Sequence, residues 1–214
     1  MDPLPFALKT RVFIEENEMS VLHLAVFMQF LLSFLAVIWV VFWSFWFILA
    51  FLTRSPVKRR QSSRLPIVPI IAIAIWILFI AVFPGLPLLR IVPDELVIAL
   101  VGTAITLAGL AFAIWARFHL GTNWSGQPTI KVGHQLIRTG PYKIVRNPIY
   151  TGILVAFAGT ALVIGEFWAV AALLIILAVC YAKIRTEEKF LLEEFGESFV
   201  QYKKEVKALI PYIL

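Results

Sequence analysis

Cysteine occurs once in these 214 residues, at Cys180, and histidine three times. A lone cysteine excludes an internal disulfide framework. Three scattered histidines leave no metal-ligand spacing, so no metal centre is expected. Charge is also scarce: Asp, Glu, Lys and Arg make up 15% of the chain, against 61% hydrophobic residues. With a mean hydropathy of +0.90, that balance excludes an ordinary soluble domain and points to an integral membrane protein. The net charge of +6 raises the question of nucleic acid. The cations flank apolar blocks, however, where they set orientation and meet anionic lipid, and no aromatic-basic patch stands clear of them. No nucleic-acid partner is expected. The opening "MDPLPFALKTRVFIEENE" lacks the basic start and short apolar run of a cleaved signal, and the closing "PYIL" offers no lipidation cysteine. Attachment is expected through the chain's own spans.

What is abundant is apolar sequence in long runs, and the pattern predicts an all-α, polytopic membrane helix bundle with five transmembrane helices. The first runs from about Val21 to Leu52, longer than the roughly 20 residues a bilayer needs. The second covers about Leu65 to Phe83 and stops at "PGLP"; the third, behind Pro93 and Asp94, covers about Glu95 to Arg117. The fourth and fifth, Pro148 to Ile164 and Phe167 to Ile184, are separated only by Gly165 and Glu166, which makes them an antiparallel hairpin. The chain divides at about residue 92: 1–92 holds the first two spans, and 93–214 holds the other three with nearly all the unusual chemistry.

Orientation follows from lysine and arginine near the span ends. "TRSPVKRRQSSR" after the first span, the 118–147 connector with Lys131, Arg138, Lys143 and Arg146, and the tail from Lys183 onward are all basic. The intervening links hold only Arg90 with Asp94 and Glu95, or Glu166. All three basic segments therefore fall on the cytoplasmic side, with the N-terminus outside and the C-terminus inside.

Small residues in "GTAITLAGLAFA" from Gly102 and "TGILVAFAGTA" from Thr151 predict close helix approach in a compact bundle, bringing the connector against the tail. In the tail, Leu191, Phe195, Phe199, Tyr202 and Val206 recur every three or four residues, the pattern of an interfacial cytoplasmic helix. Glu187 sits one turn before Leu191. It either continues the buried stripe or opens a helix capped by Thr186. In the connector "LIRTGPYKIVRNPIY", Gly140-Pro141 signals a turn, and Pro148 suits a helix start with Asn147 as its N-cap.

The two-part pattern "GHQLIRTGPYKIVRNPIYTG" and "RTEEKFLLEEFGESFVQYKKEV" resembles the isoprenylcysteine carboxyl methyltransferase family, in a group that also includes membrane phospholipid methyltransferases. The likeness covers about Leu120 to Pro211. It implies S-adenosylmethionine bound at the cytoplasmic mouth, with a lipophilic or prenylated acceptor arriving from the bilayer. By position, the cofactor contacts it implies are Gln127, His134, Gln135, Leu136, Ile137, Tyr142, Asn147, Pro148, Ile149, Tyr150 and Glu187. Arg146 and Tyr150 are the implied catalytic residues, and Lys183 or Arg185 the implied acceptor contact. These residue types suit that chemistry. A carboxylate such as Glu187 accepts from an ammonium, His134 or backbone amides meet a carboxylate, and the aromatic faces of Tyr142 and Tyr150 suit a sulfonium.

One position departs from the family pattern, which often reads Arg-His-Pro where this chain reads Arg146-Asn147-Pro148. Losing an imidazole matters least for a carboxylate acceptor, whose reference pKa of about 4 leaves it ionised at neutral pH. Carboxyl O-methylation of a prenylcysteine or similar acceptor is therefore the first expectation, and a phospholipid amine or a thiol the alternative. Membrane sterol reductases are similar in the same Arg-(His/Asn)-Pro-x-Tyr region and in a Pro-Tyr-Ile ending, and would imply NADPH; the Glu187-Glu188 pair and the short chain favour the methyltransferase.

Overall fold

A computed structural model of the protein describes residues 6–52, 57–60, 89–121, 129–131 and 136–211. Its helices are α1 (Phe6–Leu52), α2 (Leu96–Leu120), α3 (Pro148–Ile164), α4 (Phe167–Phe195) and α5 (Glu197–Glu205), with a 3₁₀ turn at Gly140–Lys143. Three of them hold stretches long and apolar enough to cross a membrane, Glu18–Leu49, Leu96–Leu120 and Phe167–Phe195; α3 is a shorter apolar helix. The expected span at Leu65–Phe83 lies outside the described residues. The all-α expectation misses one detail, an antiparallel pairing of β1 (Val57–Arg60) with β2 (Thr129–Lys131).

The centre of the bundle is the crossing of α2 and α3, and it is close because both faces are small. A Cβ added at Gly109 would stand 2.5 Å from the Ala156 nitrogen and 2.6 Å from the Gly152 oxygen. One added at Gly159 would stand 2.5 Å from the Gly102 oxygen and the Thr106 nitrogen. Between these glycines the Thr106 and Thr160 hydroxyls lie 3.2 Å apart, each also bonding a carbonyl of its own helix. Lipid tails are as apolar as leucine, so this interdigitation, with its hydroxyl pair, is what holds the two helices together.

Helix α1 lays Met28, Leu31, Leu35, Trp39, Phe42 and Trp46 on this pair, a buried stripe stepping by three and four. Its upstream residues lie with Ala99 and Val163, and its downstream ones with Leu110, Ala113 and Ala116. Helices α1 and α2 therefore run in the same direction. Trp39 stands edge-on to Phe157 with ring centroids 4.8 Å apart and donates its indole N–H to Thr160 Oγ1 at 3.0 Å.

The α3–α4 link is as tight as expected. Gly165 takes φ 69°, a left-handed conformation that costs glycine little, and its carbonyl accepts from the Ile91 and Val92 amides at 2.8 and 3.1 Å. At the opposite end the expected stop of the fifth span at Ile184 is corrected: α4 continues unbroken to Phe195, 29 residues in all. The apolar pattern weakens after Ile184, but Arg, Glu, Lys and Leu are good helix formers and nothing breaks the backbone until Gly196, at φ 51°. Thr186 is accordingly not a cap; its hydroxyl bonds Ala182 O within the helix at 3.0 Å. The short α5 follows and buries Phe199 and Tyr202, as the tail pattern predicts.

Candidate active site

The polar residues gather where the 136–147 connector, the start of α3, the downstream end of α4 and the tail meet. Pro148 occupies the first turn of α3, where a missing N–H costs nothing. Asn147 stands at the cap position, but its side chain does not cap. Its Nδ2 donates to Ala208 O at 3.2 Å, while its own carbonyl accepts from the Thr151 amide at 3.0 Å. The expected side-chain cap is therefore a tether to the tail.

Two adjacent glutamates on α4 face different partners, as neighbours about 100° apart on a helix must. Glu187 Oε1 accepts from the Tyr150 hydroxyl at 2.9 Å and lies 3.6 Å from Lys183 Nζ, which also sits 5.7 Å from the Tyr150 ring centroid. Glu188 Oε1 takes Arg146 Nε at 3.0 Å and Nη2 at 2.7 Å, and its Oε2 takes Lys203 Nζ at 2.9 Å. Arg146 Nη1 reaches the Lys203 carbonyl at 3.2 Å and also bonds Val206 O. The Arg146 and Glu188 side chains are 9% and 11% exposed, and Glu187 is more open at 23%. The more buried of the two glutamates is thus Glu188.

The connector is joined to α5 by further bonds. The Tyr202 hydroxyl donates to Tyr142 O at 2.6 Å, and Arg138 bonds Ser198 O with its guanidinium 5.3 Å from the Tyr202 ring centroid. The Tyr142 ring stacks near His119, which bonds Thr139 Oγ1 at 2.8 Å. Burial, with Tyr202 and Glu187 nearby, pushes the Tyr142 phenol above the usual tyrosine range, and burial does the same to Tyr202. Both remain protonated at neutral pH.

Of the residues named from the sequence, Tyr142, Asn147, Pro148, Ile149, Tyr150, Lys183 and Glu187 come together here. Leu136 and Ile137 are half-buried at the start of the described connector, and Ile137 packs against the main core. Gln127, His134 and Gln135 lie outside the described residues. Lys183 and Arg185 part company: Arg185 is exposed and stacks on the exposed Tyr181 at 5.5 Å, whereas Lys183 joins Glu187 and Tyr150. The sequence reading gave no site role to Glu188, Lys203 or Tyr202. The "EE" doublet facing a basic tail is the signal that offered the first two. Among the described residues no group of three or more His, Cys, Asp and Glu is arranged to hold a metal.

Residues 97–198 match the family described as phospholipid methyltransferase. A protein-S-isoprenylcysteine O-methyltransferase of Schizosaccharomyces pombe is 36% identical over 81 residues, 37% of this chain and 34% of that protein. A methanethiol S-methyltransferase of Bradyrhizobium diazoefficiens is 39% identical over 72 residues, 33% of this chain and 24% of that protein. Among solved structures, a eukaryotic intramembrane Ras methyltransferase, an isoprenylcysteine carboxyl methyltransferase, superposes with a TM-score of 0.55 at 25% identity, over 71% of this chain and 55% of that one. The matched segments span between about a third and a half of the first curated relatives' own length. With its apolar helices this is an integral membrane protein, and its connector and α4 are similar to those of isoprenylcysteine carboxyl methyltransferases and of the wider phospholipid methyltransferase group.

Proposed function

We propose that this protein is a membrane methyltransferase that uses S-adenosylmethionine to methylate a carboxylate on a prenylcysteine or similar lipophilic acceptor. The observation that carries this reading is the unequal use of the two glutamates. Both oxygens of Glu188 are engaged by Arg146 and Lys203, while the Tyr150 and Lys183 contacts to Glu187 both fall on Oε1. Glu187 is therefore the carboxylate that can accept from an ammonium, with its Oε2. When bound, S-adenosylmethionine supplies a methyl group on a sulfonium. Tyr142 and Tyr150 offer it aromatic faces, and Leu136, Ile137, Pro148 and Ile149 an apolar wall. Gln127, His134 and Gln135 complete the set by family resemblance.

Arg146 acts by holding the site together, since its bonds run to Glu188 and to tail carbonyls. Lys183, beside Glu187 and Tyr150, is assigned to the acceptor, and Arg185 to the lipid-facing side. The Asn147 amide donates to Ala208 O and offers no base. An acceptor already ionised at neutral pH needs none. The chain then has to hold donor and acceptor in line at near-attack distance, from which much of the acceleration comes. A phospholipid amine or a thiol acceptor is the second reading, favoured by the family description and the methanethiol relative.

Equilibrium binding to purified protein tests the cofactor. S-adenosylmethionine should bind and NADPH should not; the reverse result would assign the site to a reductase. Glu187→Gln should weaken S-adenosylmethionine binding by about 1.5–3 kcal/mol, the scale of a charged hydrogen bond. Unchanged affinity in a folded variant removes Glu187 from the cofactor site.

The five-span topology, with residues 93–214 as the catalytic region, has two supports. Helices α1 and α2 run in the same direction, as this topology asks of the first and third spans. The β1–β2 pairing keeps residues 57–60 and 129–131 together, as this topology asks of two connectors on one side of the membrane. Reporter fusions after Arg64, near Lys131 and at Leu214 should all report the cytoplasm, and one appearing outside overturns this topology.

A further inference from the structure

The last described stretch of the tail lies across the first turn of α3, held almost wholly through its backbone. The Arg146 and Asn147 amides donate to Lys207 O at 2.7 Å and Ala208 O at 3.0 Å. The Asn147 side chain adds a bond to Ala208 O, and the Thr151 hydroxyl donates to Leu209 O at 2.9 Å. Arg146 Nη1 binds the Lys203 and Val206 carbonyls just upstream. Residues 203–209 thus form a strap over the turn that carries Tyr150, and Tyr150 is the partner of Glu187.

Carbonyls accept over a broad range of directions, so they do not by themselves fix a guanidinium plane. What fixes the Arg146 plane is Glu188, through Nε and Nη2 together, and Glu188 is itself held from the other side by Lys203, a residue of α5 at the start of the strap. The pair lies away from solvent, where a charged hydrogen bond is directional and costly to leave unmade.

We propose that Glu188 is a positioning residue, the latch of this strap. By orienting Arg146 and anchoring Lys203 it holds residues 203–209 across the start of α3, and so keeps the Tyr150 hydroxyl against Glu187. Its consequence for catalysis rests on the methyltransferase reading; the latch itself does not.

The test uses full-length protein in lipid nanodiscs and two independent readouts. In Glu188→Gln, hydrogen exchange of the Arg146 and Asn147 amides should rise at least about tenfold, with protection of the α2–α3 crossing unchanged. The KM for S-adenosylmethionine should rise at least about tenfold, the loss expected of a charged hydrogen bond. The acceptor KM should stay within about twofold, the scatter of an uncoupled site. Glu188→Asp, which keeps the charge, should recover part of both. A merely structural ion pair predicts something else, a lower kcat from fewer folded molecules at unchanged KM. Lys203→Met removes the exposed half of the latch in a variant expected to fold, its side chain being 41% exposed, and should raise the same two exchange rates to a smaller extent. Unchanged exchange in either variant, or faster exchange with an unchanged donor KM, overturns the proposal. Faster exchange in a protein whose wild type binds no S-adenosylmethionine would instead overturn the methyltransferase reading and leave the latch standing.

Discussion

Arg146→Lys should leave the protein inserted and folded while lowering methyl transfer at least about tenfold, or about 1.4 kcal/mol in transition-state terms. Lysine keeps the positive charge, so an arginine that served only to orient the chain in the membrane would be replaced without consequence. The guanidinium does more: it meets Glu188 through two nitrogens and the carbonyls of Lys203 and Val206 through a third. A single ammonium cannot reproduce that planar fork. Alanine is the poorer test, because removing one partner of a buried pair costs about 3–5 kcal/mol and threatens the fold itself. The comparison needs only labelled S-adenosylmethionine and a panel of prenylated acids and thiols, with the lysine variant and the wild type assayed in parallel. Full activity in the lysine variant returns Arg146 to an orientation charge and leaves the site to its tyrosines and Glu187.

The largest effect on stability is expected at the α2–α3 crossing. Gly109→Val adds a branched side chain where even a Cβ would stand 2.5 Å from a backbone nitrogen and 2.6 Å from a carbonyl oxygen. Backbone cannot rotate out of the way as a side chain can, so the helices must separate. Overpacking of this kind typically costs about 1–3 kcal/mol. Separation also loosens the Thr106–Thr160 contact and the seat of Trp39. The double variant Gly109→Val with Gly159→Val is expected not to yield folded protein. Ala108→Val, on the exposed side of the same helix, is the control and should behave as wild type. Thermal unfolding in detergent, followed by intrinsic tryptophan fluorescence, ranks the two single variants, and the yield of folded protein reads the double one. A Gly109→Val midpoint equal to that of Ala108→Val would mean the helices do not meet as described.

How much of this is legible in the sequence depends on the range of the interaction. Within the described residues, the apolar helices α1 to α4, the start of α3 at Asn147-Pro148, the tight Gly165-Glu166 link and the small-residue faces are local patterns, and each appears in the structure near its expected place. The end of α4 is misjudged because a hydropathy pattern marks where lipid stops, whereas the helix stops only where its backbone does, at Gly196. The packing face of α1 is hidden for another reason. Exposed Val37, Val40 and Val41 are as apolar as buried Leu35, so hydropathy cannot single out the stripe that touches protein. At the site, the motif brings Tyr150 and Glu187 to attention together. The choice of Arg146 for Glu188, 42 residues away, and the strapping of Asn147 to Ala208, 61 away, depend on the fold and leave no trace in spacing.

Trp39 and Thr160, joined by a hydrogen bond, are separated by 121 positions along the chain. At ribosomal rates of about 5–20 residues per second, roughly 6 to 24 seconds of synthesis separate the two. Throughout that interval the first helix is in place with its indole donor and its stripe of large aromatics facing lipid or another occupant, since the groove that receives them is not yet made. The first span is therefore a waiting element. Its docking is timed by the arrival of a later helix, and any factor that shields a polar-tipped aromatic face in the bilayer has that window in which to act.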